Sequence, residues 1–208
     1  MLLCVYINKH NNMILGTHNS GTGEELVWWQ RPFAWLINPF SQCQSRTVSE
    51  QLINGVKLFN MQVTYYRGEW RFSHGCSIYK TKFLDVLKIM KKHSSPTKPI
   101  YYQLYLDKNP LTGQNVKKFE ELITVLKEYS QKTNVKLLYA WVEGTEYYPY
   151  ISSKKLDIAE HYWTRKWAEN KSLFNKIPLP KRHAKKYNKE YRTNNTSDYL
   201  MLDFYEYK

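Results

Sequence analysis

Gly16-Thr17-His18-Asn19-Ser20-Gly21-Thr22 is a run of small, polar, turn-forming residues with one imidazole at its centre. The apolar residues just before it, Met13 to Leu15, read as a short strand. Glycine and an Asn-Ser-Gly cluster bend a chain; they neither extend a strand nor fill a core. His18 is therefore expected in a tight polar loop at the C-terminal end of a strand. In parallel α/β sheets and barrels that end of the strands carries the ligand site.

Outward from this loop the chain alternates. Thr47-Val48-Ser49-Glu50 has capping-box spacing and predicts a short helix that stops at Asn54-Gly55. Val56 to Val63 reads as a strand, and Trp70 to Ser73 as another after an Arg67-Gly68 turn. Thr81 is expected to cap a helix whose apolar positions are Phe83, Leu84, Val86, Leu87 and Met90. Pro99 to Leu106 is an apolar, tyrosine-rich strand. Val116, Phe119, Leu122, Ile123, Leu126 and Tyr129 mark a long amphipathic helix, and Val135 to Val142 a further strand. Ala159 to Phe174 is expected to be helical, Lys181 to Tyr191 to form a basic helix, and Tyr199 to Tyr205 to close the chain as a strand. No internal repeat, low-complexity tract or linker interrupts the pattern. Strands separated by amphipathic helices predict an α/β fold with a parallel sheet. A length of 208 residues fits a small or incomplete (β/α) TIM-type barrel, one domain over residues 1–208.

Composition narrows the partners. The hydrophobic fraction of 42% supports a packed core rather than a disordered chain. The net charge of +13 favours acidic partners: phosphate esters, anionic membranes or nucleic acid. Eighteen tyrosines and seven tryptophans supply flat amphipathic side chains suited to interfaces. Cys4, Cys43 and Cys76 are odd in number and lack metal-ligand spacing, which argues against a disulfide framework and against zinc. No metal or cofactor is expected. The opening Met1 to Ile7 lacks a basic leader and a cleavage site, and no stretch approaches the ~18 apolar residues of a membrane span. A cytoplasmic protein, with peripheral membrane contact at most, is the expectation.

The strand-end rule collects His18 and Asn19, then Asn60 and Gln62, His74, Tyr105 and Asp107, Glu143, and Asp203. Two imidazoles with ordinary pKa near 6.5 suit phosphodiester cleavage, one as base for the attacking oxygen and one as acid for the leaving oxygen. The plainer reading is a pair of packing or loop histidines. Leu26 to Phe40 is rich in Trp and aliphatics, broken by Pro32 and Pro39. It reads either as a core helix covering the barrel or as a rim that docks on a bilayer. The basic run Lys181-Arg182-His183-Ala184-Lys185-Lys186 suits either a solvated helix face or anionic headgroups; nucleic acid is the less favoured partner.

The glycine-histidine loop resembles the opening motif of the phosphatidylinositol-specific phospholipase C X-domain. Gln42-Cys43-Gln44 through Glu50-Gln51-Leu52, with Gly55-Val56-Lys57-Leu58-Phe59, resembles the second segment of that family. Phe72-Ser73-His74-Gly75 resembles the third, and order and spacing agree from Ile14 to about Asp107. The resemblance implies cleavage of an inositol phospholipid or a related glycerophosphodiester. It implies His18 as general base, His74 as general acid and Asp203 as the carboxylate that orients the first histidine. Asn19, Asn60, Gln62 and Tyr105 then fall at substrate-contacting positions.

The chain also departs from that family. Metal-free members carry Asp-x-Arg at the end of the second strand, and calcium-dependent ones Glu-x-Asp; here the strand reads Asn60-Met61-Gln62. Asn19 matches the calcium-dependent members rather than the bacterial ones, and Tyr105 stands where a lysine or a calcium-binding glutamate is usual. Neutral amides make a weak calcium site, because hard cations prefer carboxylates. The rival expectation is a catalytically degenerate member that binds a phosphate-bearing ligand or an anionic membrane.

Overall fold

The computed structural model describes residues 14–142, 179–194 and 199–206. Its first strand, β1 (Ile14–Thr17), carries the chain directly into the His18 loop, and a 3-10 turn over Ser20–Gly23 closes that loop. A second 3-10 turn, Arg31–Phe33, leads into α1 (Ala34–Ser41). Then follow α2 (Val48–Ile53), β2 (Leu58–Tyr66), β3 (Glu69–His74), β4 (Ser77–Lys82), α3 (Phe83–His93), β5 (Ile100–Leu106), α4 (Val116–Lys132) and β6 (Val135–Val142). The chain ends in α5 (Pro180–Asn194) and β7 (Tyr199–Leu202).

β7, β1, β2, β5 and β6 lie side by side and parallel. β2 is long enough to share one edge between two partners: β1 pairs at Leu58 and Phe59, and β3 takes over antiparallel from Val63 to Tyr66. β3 and β4 extend that edge as a hairpin. Among the described residues β6 and β7 are not paired with each other, so the sheet curls as an incomplete barrel. This is the architecture the alternating pattern predicts. β2 and β5 are buried along nearly their whole length, as strands flanked on both faces must be. The core gathers Phe59, Met61, Phe72, Tyr102, Leu104 and Leu137 from the sheet, with Phe83, Met90 and Phe119 from α3 and α4.

Two local rules hold as read. Thr47 and Glu50 form a reciprocal capping box, and α2 ends before Gly55, whose φ of 87° an L side chain rarely adopts. Others are corrected. β1 runs to Thr17, past the expected end at Leu15. Thr81 caps no helix: it lies in β4, a strand hidden by its Lys80-Thr81-Lys82 polarity, and its hydroxyl donates to Glu24 Oε2 at 2.7 Å. The Leu26 to Phe40 stretch is not a core helix. Leu26 and Val27 are buried against the sheet, but Trp28, Phe33, Trp35, Leu36 and Phe40 face outward, with Trp35 76% exposed. Only Ala34 and Ile37, one turn apart, meet the core from α1. The expected helix over Ala159 to Phe174, and Glu143, lie outside the described residues. No helix among the described residues is long and apolar enough to cross a membrane.

Candidate functional site

The His18 loop is held by close packing that only glycine permits. A Cβ on Gly21 would fall 2.2 Å from the buried Phe72 ring, and one on Gly23 would fall 1.8 Å from the Arg46 carbonyl oxygen. Asn19 takes a left-handed conformation, φ 44° and ψ 51°, and so turns the chain sharply after His18. The Thr22 hydroxyl donates to the Asn19 carbonyl at 2.7 Å and accepts from the backbone N–H of Cys43 at 2.9 Å and of Gln44 at 3.1 Å. The Gln44 amide donates to the carbonyls of His18 and Leu202, at 2.9 and 2.8 Å. The segment after α1 thus ties the end of β1 to the end of β7.

This lacing sets His18 against Asp203: Nδ1 lies 2.8 Å from Oδ1, with the carboxylate buried and the imidazole half-buried. A carboxylate only accepts, so Nδ1 carries the proton and Nε2 is the basic nitrogen. Burial, and then the neighbouring His74, push the His18 imidazole below its usual range; the Asp203 contact opposes both. The backbone beneath Asp203 is fixed by Asn188 of α5, whose amide donates to the carbonyls of Asp203 and Phe204 at 2.9 and 3.1 Å.

His74 ends β3. Its Nδ1 lies 2.6 Å from the Ser41 carbonyl, so that nitrogen is the donor and Nε2 is left for other work. Cys43 lies between the two imidazoles. Its sulfur is 3.9 Å from His74 Nδ1 and 3.6 Å from Asn19 Nδ2, and with His18 and Asp203 it forms a cluster of ligand atoms within 4.8 Å of one another. Burial and then Asp203 push the Cys43 thiol well above its usual range.

The amides form a second, connected layer. Asn60 accepts from the Asn19 backbone N–H at 3.3 Å and donates to Gln103 at 2.9 Å. Gln62 donates to Asp107 Oδ1 at 2.8 Å and accepts from the Tyr105 hydroxyl at 2.7 Å. Tyr105 also contacts the Asn19 side-chain oxygen, and its ring stacks on Trp141 with centroids 4.5 Å apart. Asn19, Asn60, Gln62, Gln103, Tyr105 and Asp107 are all buried. The strand-end residues His18, Asn19, Asn60, Gln62, His74, Tyr105, Asp107 and Asp203 therefore do converge.

Sequence reasoning passed over Cys43, Gln44, Gln103 and Ser41. Gln103 had a signal, as a lone amide inside the apolar Ile100–Leu106 strand. Ser41 had none, since it acts through its backbone carbonyl. The cation missing from Asn60-Met61-Gln62 could come from a basic side chain elsewhere in the sequence, with Lys57, Lys80, Lys108 and Arg165 as candidates; Lys80 is exposed and lies 3.9 Å from Glu25. Arg165 lies outside the described residues.

No protein-family model matches this sequence, and no curated protein matches it. Solved structures do. A point variant of phosphatidylinositol-specific phospholipase C from Staphylococcus aureus superposes with a TM-score of 0.58 at 13% identity, over 95% of this chain and 87% of that one. The corresponding enzyme from Listeria monocytogenes gives 0.53 at 13% identity, over 95% and 89%. At such identity the likeness is one of fold.

Proposed function

We propose that this protein cleaves a phosphodiester, with an inositol phospholipid as the leading substrate, through paired general base and general acid catalysis. The observation that carries the reading is the His18–Asp203 contact of 2.8 Å beside His74, on a fold shared with phosphatidylinositol-specific phospholipases C. In this scheme His18 Nε2 takes the proton of the attacking hydroxyl, the inositol 2-hydroxyl in the first instance. His74, protonated and steadied through Nδ1 by the Ser41 carbonyl, gives its Nε2 proton to the leaving glycerol oxygen. Asp203 holds the proton of His18 on Nδ1 and steadies the imidazolium as it forms. Asn19, Asn60, Gln62 and Tyr105 line the phosphate and headgroup side. The exposed Trp28, Phe33, Trp35, Leu36 and Phe40 would rest on the lipid surface that presents the substrate.

One observation favours a second reading, a silent binding protein. The second layer is built from neutral amides, a phenol and the Asp107 carboxylate, whereas phosphoryl transition states gain negative charge that well-placed donors or cations must stabilise. Turnover on phosphatidylinositol vesicles, a soluble inositol phosphodiester and glycerophosphodiesters separates the two. His18→Ala and His74→Ala should each remove about 10²–10⁴-fold of the rate. The double variant should lose little more, because the pair acts as a unit. Full activity in either single variant overturns the assignment. Saturable binding of inositol phosphate without turnover selects the second reading.

A further inference from the structure

Cys43 has no role in the proton transfers above, yet its backbone is held from both sides of the site. Its N–H is held by the Thr22 hydroxyl at 2.9 Å, and its carbonyl accepts the Phe204 N–H at 2.7 Å. These two bonds hold its backbone between the His18 loop on one side and the Asp203 turn on the other. The sulfur, one nitrogen of His18 and one oxygen of Asp203 all lie within 4.8 Å of one another, with Cys43 and Asp203 buried. Zinc bonds of about 2.0–2.3 Å to N, O and S set tetrahedral ligand separations of roughly 3.3–3.6 Å. Shifts of about an ångström in side chains therefore close the triangle around an ion. The three ligands come from the end of β1, the segment after α1 and the end of β7, which is why spacing along the sequence hid them.

We propose that His18, Cys43 and Asp203 form a binding site for a borderline-soft divalent transition-metal ion, of which zinc is the best fit, and that its binding switches off the His18 base. Charge and donor type both favour zinc. One thiolate and one carboxylate neutralise the dication, the imidazole adds the third donor, and the sulfur selects against magnesium and calcium. The proton balance gives the switch. The metal takes His18 Nδ1, so the proton there moves to Nε2 and the imidazole stays neutral; the Cys43 thiol releases its proton to solvent. Nε2, now N–H, cannot accept a proton from an attacking hydroxyl. The coordination stands independently of the catalytic reading, while the loss of turnover rests on it.

Cobalt(II) is the probe, because a thiolate ligand gives it a sulfur-to-metal charge-transfer band and four-coordination intensifies its visible spectrum. Titration of the reduced full chain should give the band with one equivalent of cobalt, and zinc should remove it. Cys43→Ala should abolish the band, His18→Ala and Asp203→Ala should each weaken cobalt binding at least about 10–100-fold, and Cys76→Ala should leave it unchanged. Should Cys43→Ala fail to fold by circular dichroism, Cys43→Ser tests the same loss of the thiolate. No band in the wild-type chain, or a band that survives loss of the Cys43 sulfur, overturns the site. With the band present, zinc that leaves turnover unchanged or raises it overturns the switch. A chain with no turnover at all but an intact band leaves the metal site standing and removes only the catalytic reading.

Discussion

Gln62 and Asp107 meet at 2.8 Å in a buried pair, and this pair decides what a positive charge would do in the second layer. A lone buried cation is strongly destabilising, and a carboxylate beside it removes much of that cost. Gln62→Arg would place a guanidinium within reach of Asp107 and toward the side of the site proposed to take the phosphate. Losing one well-placed neutral donor to a developing oxyanion costs roughly 3–4 kcal/mol, and a charged donor matters at least as much. Gln62→Arg is therefore expected to raise the turnover number on soluble inositol phosphodiesters by at least tenfold (about 1.4 kcal/mol), with the melting temperature held. A folded variant with an unchanged rate would mean that another basic side chain already faces the phosphate. The sequence exposed Asn60, Gln62, Tyr105 and Asp107 of this layer, because polar groups at strand ends stand out against apolar flanks, but it passed over Gln103. It did not expose Cys43, whose role depends on the Thr22 hydroxyl and the Phe204 backbone, distant in sequence. Nor did it show that Asn60 is held by Gln103 and Asn19, since hydrogen-bond partners across parallel strands leave no periodic mark.

The elements were legible where local chemistry alone fixes them. The Thr47-Val48-Ser49-Glu50 box, the Gly55 stop, the apolar faces of α3 and α4 and the buried strands β5 and β6 all follow from short-range rules. They were misread where tertiary partners override propensity. β4 carries Lys80 and Lys82 in solvent because it is an edge of the hairpin, so it lacks the apolar look of a strand. α1 reads as core by composition, yet only one short stripe of it has a sheet to cover. The α2 box gives a test at this scale. The Glu50 carboxylate accepts from the Thr47 N–H at 2.8 Å and its hydroxyl at 2.9 Å, contacts that hold it below the usual carboxylate range. A group whose folded pKa is depressed stabilises the fold above its unfolded value of 4.5 and loses that effect as pH falls through the folded value. Urea unfolding at pH 7 should show Thr47→Ala less stable by about 1 kcal/mol. The gap between Glu50→Gln and wild type should be present at pH 7 and narrow steadily below pH 4.5. A gap independent of pH would mean that Glu50 acts by packing and not as a charged acceptor.

At the scale of the molecule, the barrel was legible from the alternation of strands and helices, but which surface it presents was not. That depends on how α1 and α5 sit on the finished sheet, and they pack against each other. α1 and the loop before it put Trp28, Phe33, Trp35, Leu36 and Phe40 in solvent. α5 buries Ala184 and Asn188 and leaves Lys181, Arg182, Lys185, Lys186 and Lys189 exposed. An apolar rim beside a basic helix, in a chain of net charge +13, fits a surface of anionic lipid better than either feature alone. The two features should separate in vesicle sedimentation. Binding to vesicles with anionic lipid should exceed binding to zwitterionic ones, and the excess should fall as salt shortens the Debye length from about 10 Å at 0.1 M to about 3 Å at 1 M. Each basic side chain at such a surface contributes about 1 kcal/mol, close to fivefold in affinity. Replacing Lys181, Lys185 and Lys189 by Gln should therefore weaken the anionic case by up to about 100-fold and leave the zwitterionic case alone. Trp28→Ala with Trp35→Ala should weaken both, because aromatic insertion is indifferent to headgroup charge. Equal, salt-independent partitioning to the two lipids would remove α5 from the membrane face and turn attention to soluble phosphodiesters as substrates.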